Sequence, residues 1–442
     1  MQQTMNRFPL AKFLLVGLLI ICSGAVASAQ DIQSSALSRL GYGTLQSSVP
    51  VSWEAMGGVG VGISDARQIN LLNPAGYAAT DSLSFLIDLG VSLSYHHYRE
   101  GGAHKNSLHG ALDYFALQFP LYKDRLALAG GIRPFSNTGY SLSREVALEN
   151  EVAGYRMMQN FRGSGSFQQL FVGLGSKVWE SEGGSALHLG ANLNYLFGSV
   201  AHYTHLVPNS TQHAQDYTEY SIRQRDLSID LGMQYKFVST STDKDEWVLG
   251  ATYSPSMPLH PTRYFLVNHN FGSQTKPEAS SKKEQVVTAL PHKVALGLSW
   301  RIPDKLLLAF DGGADLWSKV PNIFMKDGAI MQNSYHAAVG AEYRPDIFSR
   351  KYRDQIAYRA GLSYRSSYLS LPRVGQVQSL GVNMGLGMPI RNSGLERVAQ
   401  INLTLGYQRN FSIQEKAFAQ DILKLTLGVT FNETWFRKLK IY

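Results

Sequence analysis

Three residues on two adjacent predicted strands have the side-chain types of a hydrolase. His188 is expected on the inward face of one strand, and Ser228 and Asp230 on the inward face of the next. A serine, a histidine and an aspartate can carry out acyl transfer when they converge, with the histidine as the base. No Gly-x-Ser-x-Gly elbow between a strand and a helix accompanies them, and a lone inward histidine is more often a simple polar group. The sequence therefore predicts no catalytic residue and no enzyme activity.

Histidines also gather near the ends of predicted strands, where they could bind a metal ion. The two groups are His96, His97, His104 and His109, and His202, His205 and His213. Adjacent side chains of a strand point to opposite faces, which argues against joint ligation by His96 and His97. Neither group has the spacing of a zinc finger. The sequence predicts solvated rim residues, with no metal and no cofactor.

Residues 1–29 have the layout of an export signal. Arg7 and Lys12 precede an apolar run over residues 13–21, and a small-residue cleavage site follows. The run is shorter than the roughly 20 residues that a membrane-spanning helix needs, so cleavage is expected. The only cysteine, Cys22, lies in this segment, so we expect no disulfide and no cysteine-ligated metal in the mature protein.

The composition of the chain is low in charged residues and rich in glycine and aromatic residues. Charged residues make up 17% of the 442 residues, and there are 41 Gly, 23 Tyr and 20 Phe. This charged fraction is below the roughly 25% of globular proteins. After the signal no stretch of about 18 apolar residues occurs, which excludes helical membrane spans. The net charge of +8 comes without a basic run interleaved with aromatics, so nucleic acid is not an expected partner.

Apolar residues recur at every second position in several windows. In residues 423–431 the odd positions are apolar and the even ones are polar or glycine, and residues 227–237 follow the same rule. A helix would scatter Asp230 and Lys236 around its axis, whereas a strand places both on one face. Strands of this kind are typical of membrane barrels, in which one face meets hydrocarbon and the other meets the lumen.

Turn residues between such windows divide the chain into about 14 strands, an even number as in bacterial barrels. The predicted fold is all-β, a transmembrane antiparallel barrel over residues 82–433, with residues 434–442 as a periplasmic tail. The predicted strands cover residues 82–99, 107–121, 125–143, 166–179, 185–207, 217–238, 246–268, 284–301, 305–318, 331–344, 355–369, 374–390, 398–412 and 420–433.

The connections between these strands alternate in length, and short turns belong to the periplasmic side of such barrels. Tight turns are predicted at residues 123–124, 182–184 and 303–304, and longer exterior loops at 144–165, 208–216, 269–283 and 319–330.

Aromatic residues near the predicted strand ends indicate the two interfacial girdles of a membrane barrel. The predicted girdle residues are Tyr95, Tyr98, Trp179, Tyr195, Tyr235, Trp247, Trp300, Trp317, Tyr343, Tyr364 and Tyr368.

Residues 30–81 precede the first long strand and do not alternate over a comparable length. They contain Gly57, Gly58, Gly60 and Gly62. A nucleotide-binding loop is excluded because no βαβ unit follows and no acidic partner lies on a second strand. A chain threaded through a barrel of about 14 strands has to fit between inward side chains, which small residues permit. We therefore predict a hatch inside the lumen, with Asn73 and Pro74 forming a fixed turn.

Two stretches of this segment carry a family resemblance. Residues 56–61 and 73–76 are similar to the amino-terminal signature of FadL/TodX-type outer-membrane transporters of hydrophobic compounds, in a Bacteroidetes-like branch. The resemblance implies a monomeric Gram-negative barrel with an internal hatch, an apolar path from the exterior and lateral exit into the membrane. To the hatch and substrate path it assigns Met56, Gly57, Gly58, Asn73, Pro74, Ala75 and Gly76.

The expected function is uptake of hydrophobic small molecules, such as fatty acids or hydrocarbons, through a plugged barrel in the cell outer membrane. The alternative is a protein-interaction barrel, such as a FadL-like shuttle component of type IX secretion. A general porin is disfavoured because a filled lumen conducts poorly. Expected partners are outer-membrane lipid, a hydrophobic ligand and the barrel-assembly machinery, which would recognise the last strand at residues 423–431.

Overall fold

The computed structural model is an antiparallel β-barrel of 14 strands that closes on itself. It describes residues 36–100, 103–147, 156–208, 215–239, 245–270, 278–321, 329–372, 374–391, 397–414 and 418–434. The barrel strands are β1 (Ser84–Glu100), β2 (Ala103–Tyr122), β3 (Leu126–Ala147), β4 (Arg156–Glu180), β5 (Ala186–Pro208), β6 (Gln215–Val238), β7 (Glu246–Ser254), β8 (Lys293–Ile302), β9 (Leu306–Asp315), β10 (Ser334–Tyr343), β11 (Ala357–Leu371), β12 (Gly375–Arg391), β13 (Arg397–Ser412) and β14 (Ala419–Thr434). The predicted all-β barrel and its strand number are confirmed.

The barrel closes where β1 pairs with β14, for example with Leu89 opposite Val429. Along β14, Leu425 is exposed on the outside, whereas Thr426 and Thr430 are buried inside. Side chains of a strand alternate between its two faces, so the two-residue period separates a lipid face from a lumen face.

The barrel has a periplasmic end with tight turns and an uneven outer end. Ser84 and Thr434 pair at one end, where the tight turns at Lys123 and Asp304 also lie. Because short turns belong to the periplasmic side of such barrels, this is the periplasmic end. Toward the opposite, outer end, β4, β5 and β6 reach 25, 23 and 24 residues, against 10 for β8 and β9. One side of the barrel therefore extends well above the other.

The strands predicted at 246–268 and 284–301 are too long. β7 ends at Ser254 and β8 begins only at Lys293. Prolines interrupt the chain between these ends at Pro255, Pro258, Pro261 and Pro291. A proline cannot donate to a strand ladder, so the alternating pattern does not continue through them as one barrel strand.

Strands outside the barrel wall extend its tall side. Thr262–Asn270 and Glu278–Gln285 form a separate hairpin that pairs with the outer half of β6. The loop predicted at 144–165 is correspondingly shorter, because β3 continues to Ala147 and β4 begins at Arg156.

The wall is interrupted between β2 and β3. Their ladder ends at Phe115 and Ile132, well before the outer end of either strand. Just beyond, the ladder between β3 and β4 is bulged between Pro134 and Ser136. A short strand of the N-terminal segment, Thr44–Leu45, pairs with β3 above the break.

Most predicted girdle aromatics lie on the outside of the barrel. Those exposed are Tyr95, Trp179, Tyr195, Tyr235, Trp247, Tyr343 and Tyr364. Trp300 stacks on Trp247 with ring centroids 5.9 Å apart, and Tyr98 packs edge-on against the buried Phe418.

The girdle prediction is wrong for Trp317 and Tyr368, which are buried inside the barrel. Trp317 lies in a 3-10 turn after the end of β9 rather than on the strand. Tyr368 would share the outer face of Tyr364 in an unbroken strand, but a register shift between Ser366 and Ser370 turns it inward.

The N-terminal segment, residues 36–83, runs along the inside of the barrel and is mostly buried. It contains a 3-10 helix at Ala36–Arg39, a helical turn at Val51–Glu54 and a 3-10 helix at Pro74–Ala79. No helix among the described residues is long and apolar enough to cross a membrane. The predicted signal at residues 1–29 and nearly all of the predicted tail lie outside the described residues.

Candidate lumen site

The glycine-rich part of the N-terminal segment lies against the inner wall at β10 and β11. A Cβ at Gly340 would be 2.2 Å from the carbonyl oxygen of Met56, and one at Gly361 2.0 Å from its carbonyl carbon. Gly57 and Gly58 have φ values of 80° and 90°, which side chains rarely allow. Both the segment and the wall therefore need glycine for this close approach.

Asp311 on β9 anchors the next turn of the segment. Its buried carboxylate accepts hydrogen bonds from the backbone nitrogens of Gly60 at 2.6 Å and Val61 at 2.8 Å. Ser299 on β8 donates to the carbonyl oxygen of Gly62 at 2.7 Å. Hydrogen bonds to an ionised carboxylate are stronger than neutral ones, so Asp311 holds the segment at a defined height.

The second part of the signature lies against β4 to β6. The Asn73 side chain accepts from the Ala75 nitrogen at 3.0 Å and donates to the Val61 carbonyl oxygen at 2.8 Å. Pro74 begins the 3-10 helix that Asn73 caps. A Cβ at Gly76 would lie 2.6 Å from the nearest side-chain carbon, so this turn is tightly packed. Asn73 thus links the two parts of the signature to each other.

Inward-facing glycines of the wall make room for this turn. A Cβ at Gly190 would lie 2.3 Å from the carbonyl carbon of Pro74, and one at Gly232 2.1 Å from the side-chain oxygen of Asn73. These wall glycines were not among the residues predicted from the sequence. Their signal was available, since Gly232 stands between apolar residues at an inward position of an alternating strand.

Charged side chains inside the barrel are paired with the segment or with the wall. Arg133 on β3 donates to the Leu71 carbonyl oxygen at 2.8 Å and pairs with Asp230 at 3.2 Å. Lys424 on β14 pairs with Glu54 of the segment at 2.7 Å. Ionic contacts therefore supplement the backbone contacts that hold the segment.

A cleft of about 540 Å³ lies between the segment and the periplasmic end of the wall. In it, Asp65 pairs with Arg301 at 3.1 Å and with Arg67 at 3.6 Å. Burial alone would raise the pKa of Asp65, but the two guanidinium groups bring it below its ordinary value. Lys177 and Asp304 also line the cleft, which therefore carries charges of both signs.

Above this level apolar side chains fill the outer half of the lumen, and we call this set the outer apolar cluster. Its buried members are Tyr42, Phe135, Phe167, Leu196, Val200, Ile222, Leu259, Leu290, Trp317, Val320, Met331, Tyr368 and Leu369. The ring centroids of Tyr42 and Trp317 are 5.7 Å apart. Aromatic rings at such distances attract each other beyond the effect of their burial.

The N-terminal segment contributes Tyr42 to this cluster, and the other buried members come from barrel strands or loops. The hydroxyl of Tyr368 donates to the Gly43 carbonyl oxygen at 2.7 Å, which fixes the neighbouring Tyr42. Burial raises the pKa of Tyr42, so its ring enters the cluster as a neutral phenol.

A second cleft, of about 550 Å³, opens at the outer end beside this cluster. Arg39 and Arg144 lie over the ring of Phe161, at 4.8 and 5.5 Å from its centroid. Two cations around an aromatic ring give this opening both positive charge and apolar surface.

The residues considered for hydrolysis face the lumen but do not converge. In the ladder between β5 and β6, His188 lies opposite Gln234, six residues from Ser228. Six residues of strand span about 20 Å, too far for proton transfer. Asp230 is engaged by Arg133 instead.

The rim histidines form two separate pairs. The ring centroids of His96 and His109 are 4.7 Å apart, and those of His97 and His104 are 5.8 Å apart. Across the part of the chain that the structure describes, no group of three or more His, Cys, Asp or Glu could hold a metal ion. His213 lies outside that part.

A family model, BamG, matches residues 10–442 of the chain. The chain belongs to the BamG family. The match includes both the N-terminal segment and the barrel, so membership applies to the two together. No curated protein is significantly similar in sequence to this BamG-family chain.

Several solved structures share the fold of the BamG-family barrel. The CymD monoaromatic hydrocarbon channel is 14% identical with a TM-score of 0.54, over 88% of this chain and 98% of that one. The Ralstonia pickettii toluene transporter TbuX is 14% identical with a TM-score of 0.54, over 86% and 97%. A Pseudomonas aeruginosa FadL homologue is 12% identical with a TM-score of 0.54, over 88% and 99%.

These likenesses confirm the resemblance to FadL and TodX inferred from residues 56–61 and 73–76. At such low identity they establish the fold and leave the cargo open. The BamG-family barrel therefore has the architecture of outer-membrane transport channels.

Proposed function

We propose that this BamG-family barrel takes up hydrophobic small molecules, such as fatty acids or hydrocarbons, across the outer membrane. The observation that carries the proposal is the outer apolar cluster inside the lumen. A pore for water and ions is lined by polar groups, whereas an apolar interior gives a hydrophobic solute a phase to partition into. The names of two similar structures, a monoaromatic hydrocarbon channel and a toluene transporter, agree with this class of cargo.

The outer cleft supports a preference for amphipathic acids within this class. Arg39 and Arg144 offer a carboxylate two positive charges at the opening, beside the ring of Phe161. A fatty acid would place its head group there and its chain toward the cluster. Guanidinium groups bind carboxylates strongly because their donors match the two oxygens.

Because the cluster is packed, a solute enters it only by displacing a ring. Tyr42 is the ring that belongs to the N-terminal segment rather than to the barrel wall or its loops. The carbonyl oxygen of its neighbour Gly43 accepts a hydrogen bond from Tyr368 at 2.7 Å, with a net contribution of about 1 kcal/mol. Withdrawal of Tyr42 leaves the ladders between the barrel strands intact, whereas a rearrangement of the wall would break them.

Passage toward the periplasm then requires the hatch to shift. To the hatch and substrate path we assign Met56, Gly57, Gly58, Asn73, Pro74, Ala75 and Gly76. Opening breaks the bonds between Asp311 and the segment, each worth about 1.5 to 3 kcal/mol because the acceptor is charged. The binding energy of the solute has to offset this cost, so the barrel stays closed without cargo.

The location and partners follow from the same proposal. The export signal at residues 1–29 would direct the chain to the outer membrane, where lipid covers the alternating apolar face. The barrel would act as a monomer, with the hydrophobic solute as its small-molecule partner. The barrel-assembly machinery would insert it.

Whole-cell uptake of a radiolabelled long-chain fatty acid and of toluene tests the proposal. Deletion of the gene should lower uptake of at least one of these solutes, and the plasmid-borne gene should restore it. A deletion strain that takes up both solutes at the wild-type rate would contradict the proposal.

A second candidate function is a protein-interaction barrel, and the family match favours it. The designation BamG relates the family to barrel assembly. The many contacts that hold the segment also suit a barrel with a structural role, such as a shuttle component of type IX secretion. On this view deletion lowers the amounts of other outer-membrane or secreted proteins and leaves solute uptake unchanged.

Quantitative proteomics of the outer membrane, performed on the same deletion strain, separates the two candidates. Loss of several other barrels with normal uptake supports the interaction barrel. Normal amounts of barrels with reduced uptake support the transporter.

A further inference from the structure

The connection between β10 and β11 is long for the periplasmic end of the barrel. It consists of residues 344–356, which we call the periplasmic loop, whereas the turns between β2 and β3 and between β8 and β9 consist of residues 123–125 and 303–305. The Arg344 nitrogen donates to the Lys305 carbonyl oxygen at 2.9 Å, so the loop begins beside one of these turns. Short turns suffice to join strands on this side, so the additional residues are not needed to connect β10 with β11.

Hydrogen bonds within the periplasmic loop give it a defined fold. The Asp346 nitrogen donates to the Asp354 carbonyl oxygen at 2.9 Å, and the Ser349 hydroxyl donates to the Asp354 carboxylate at 2.9 Å. The Gln355 side chain donates to the Ser349 carbonyl oxygen at 2.6 Å. The loop therefore presents its exposed side chains from a fixed backbone.

Two tyrosine contacts place the periplasmic loop against the outer surface of the wall. Tyr343 and Tyr358 lie opposite each other on β10 and β11 and are exposed on the outside of the barrel. The Tyr358 hydroxyl donates to the Arg353 carbonyl oxygen at 3.1 Å, and the Tyr352 hydroxyl donates to the Pro389 carbonyl oxygen of β12 at 3.3 Å. Because Tyr358 points outward, the backbone at Arg353 stands out from the wall on the lipid side. Tyrosines at the end of a membrane strand mark the headgroup layer, so the loop lies at that level.

A phenylalanine of the periplasmic loop is left uncovered by the protein. Phe348 is 84% exposed, and its backbone nitrogen donates to the Asp346 carboxylate at 2.8 Å. The hydrogen bond holds the ring in this exposed position. An aromatic ring that folding leaves in water gains free energy when acyl chains cover it.

Basic side chains surround this ring on the same loop. Arg350, Lys351 and Arg353 are all exposed, and Arg353 lies 3.5 Å from Asp354. Arg350 and Lys351 have no acidic partner among the residues that the structure describes. Asp346 is the exposed acidic residue of the loop, so its exposed charges sum to a positive value. Basic residues at a membrane surface attract anionic lipids.

We infer that the periplasmic loop is a binding site for anionic phospholipids of the periplasmic leaflet. The ring of Phe348 enters the boundary between headgroups and acyl chains, and Arg350 and Lys351 bind the phosphate. A guanidinium group matches two phosphate oxygens with parallel hydrogen bonds. A zwitterionic lipid binds more weakly because its amine repels the same cations. The site lies outside the lumen, so it is independent of what the barrel transports.

A fluorescence experiment in vesicles tests whether the loop enters the membrane. Phe348→Cys in a Cys22→Ser background carries the only cysteine, which is labelled with the polarity-sensitive fluorophore NBD. The vesicles contain phosphatidylcholine and phosphatidylglycerol in equal amounts, with or without bromine on the acyl chains. The matched control is Glu182→Cys, an exposed residue of the turn between β4 and β5 at the same end.

We expect NBD at position 348 to emit at shorter wavelength and to be quenched by brominated chains at least threefold more than NBD at position 182. Equal quenching at the two positions would overturn the inference. It would place the loop in water, as docking of a periplasmic protein requires.

A lipid titration followed by native mass spectrometry tests the preference for anionic headgroups. Each basic residue near an anionic surface contributes about fivefold to binding, so Arg350→Gln/Lys351→Gln should weaken phosphatidylglycerol binding about 30-fold. The matched control, Arg125→Gln/Lys305→Gln, removes two exposed cations from the tight turns at the same end and should bind like the wild type.

All four substituted side chains are exposed, and the band shift on gels confirms that both variants are folded. The wild type should bind phosphatidylethanolamine more weakly than phosphatidylglycerol. Equal binding of phosphatidylglycerol by the two variants, or equal binding of the two lipids by the wild type, would overturn the inference.

Discussion

Trp317 and Tyr368 lie against each other inside the barrel with ring centroids 4.9 Å apart. Trp317 comes from the loop after β9, and Tyr368 from the bulged part of β11. Each also takes part in holding the N-terminal segment, through the ring of Tyr42 and the carbonyl oxygen of Gly43. This pair therefore joins the wall, a loop and the segment in the outer half of the lumen.

Trp317→Ala should destabilise the barrel by about 3 to 5 kcal/mol, because it leaves a cavity among buried rings. Urea unfolding of the protein in lipid vesicles, followed by the shift of the folded band on gels, measures the change. The matched control is Trp247→Ala on the lipid face, where Trp247 is 42% exposed and a smaller loss is expected. Equal losses for the two variants would contradict a packed cluster.

Asp311→Ala should loosen the glycine-rich part of the segment. It leaves the backbone nitrogens of Gly60 and Val61 without their acceptor, at a cost of about 1 to 3 kcal/mol. Hydrogen exchange of a peptide covering residues 57–63 should become faster, with little change in the barrel strands.

The control for this prediction is Asp124→Ala in an exposed periplasmic turn, where the carboxylate pairs with Lys177. This variant should leave exchange in residues 57–63 unchanged. An Asp311→Ala barrel with the wild-type exchange rate there would show that Asp311 does not anchor the segment.

Gly232→Ala should be destabilising, by about 1 to 3 kcal/mol, because its Cβ would lie 2.1 Å from the Asn73 side-chain oxygen. Gly312→Ala is the matched control, since the nearest atom to its Cβ would be 3.9 Å away. Thermal unfolding on gels should separate the two variants by several degrees. If both unfold at the same temperature, the close approach of Asn73 to the wall is not tight.

Asp65→Asn should lower stability at neutral pH and have less effect in acid. The pKa of Asp65 is below its ordinary value of 3.8, since Arg301 and Arg67 outweigh the effect of burial. A depressed pKa contributes stability above the unfolded-state value and loses it as the pH falls through the folded-state value. The difference between wild type and variant should therefore shrink below about pH 3.8.

Thermal unfolding at pH 7 and at pH 3 checks this dependence. Arg353→Gln, which removes an exposed pair with Asp354, serves as the control and should show little effect at either pH. If the wild type is as much more stable than Asp65→Asn at pH 3 as at pH 7, the pKa of Asp65 is not lowered by Arg301 and Arg67 in the way described.

The two-residue pattern was enough to predict the barrel, because the polarity of each residue depends only on whether its own side chain faces lipid or the lumen. The pattern in residues 227–237 needs no knowledge of the neighbouring strands. The pattern predicted the wrong face or the wrong strand length where irregular backbone pairing interrupts the alternation of side chains. Tyr368 follows the outward sequence pattern but a register shift turns it inward, and Pro255 ends β7 within a run that still alternates.

The close contacts of the site were harder to predict than the fold. Residues 56–58 and 73–76 were singled out by their resemblance to a family, but their partners in the wall were not. Gly190 and Gly232 come from strands far along the chain, and only the barrel register brings them to Pro74 and Asn73. Contacts of this kind depend on strand register, which alternation alone leaves open.

The most direct test of the proposed uptake is to lock the N-terminal segment to the wall reversibly. A Cβ at Gly428 on β14 would lie 2.7 Å from the Val51 Cβ, and its three nearest atoms all belong to the Val51 side chain. A Val51→Cys/Gly428→Cys pair can therefore form a disulfide after a small adjustment, in a Cys22→Ser background without other cysteines. The two single-cysteine variants are the controls.

The measurement is the initial rate of fatty-acid uptake by cells that carry the paired variant, before and after oxidation and again after reduction. We predict that oxidation lowers the rate at least tenfold, that reduction restores it, and that the single-cysteine variants show neither effect. If the oxidised, fully cross-linked barrel transports as fast as the barrel before oxidation, the claim that cargo passes by displacing the N-terminal segment is contradicted.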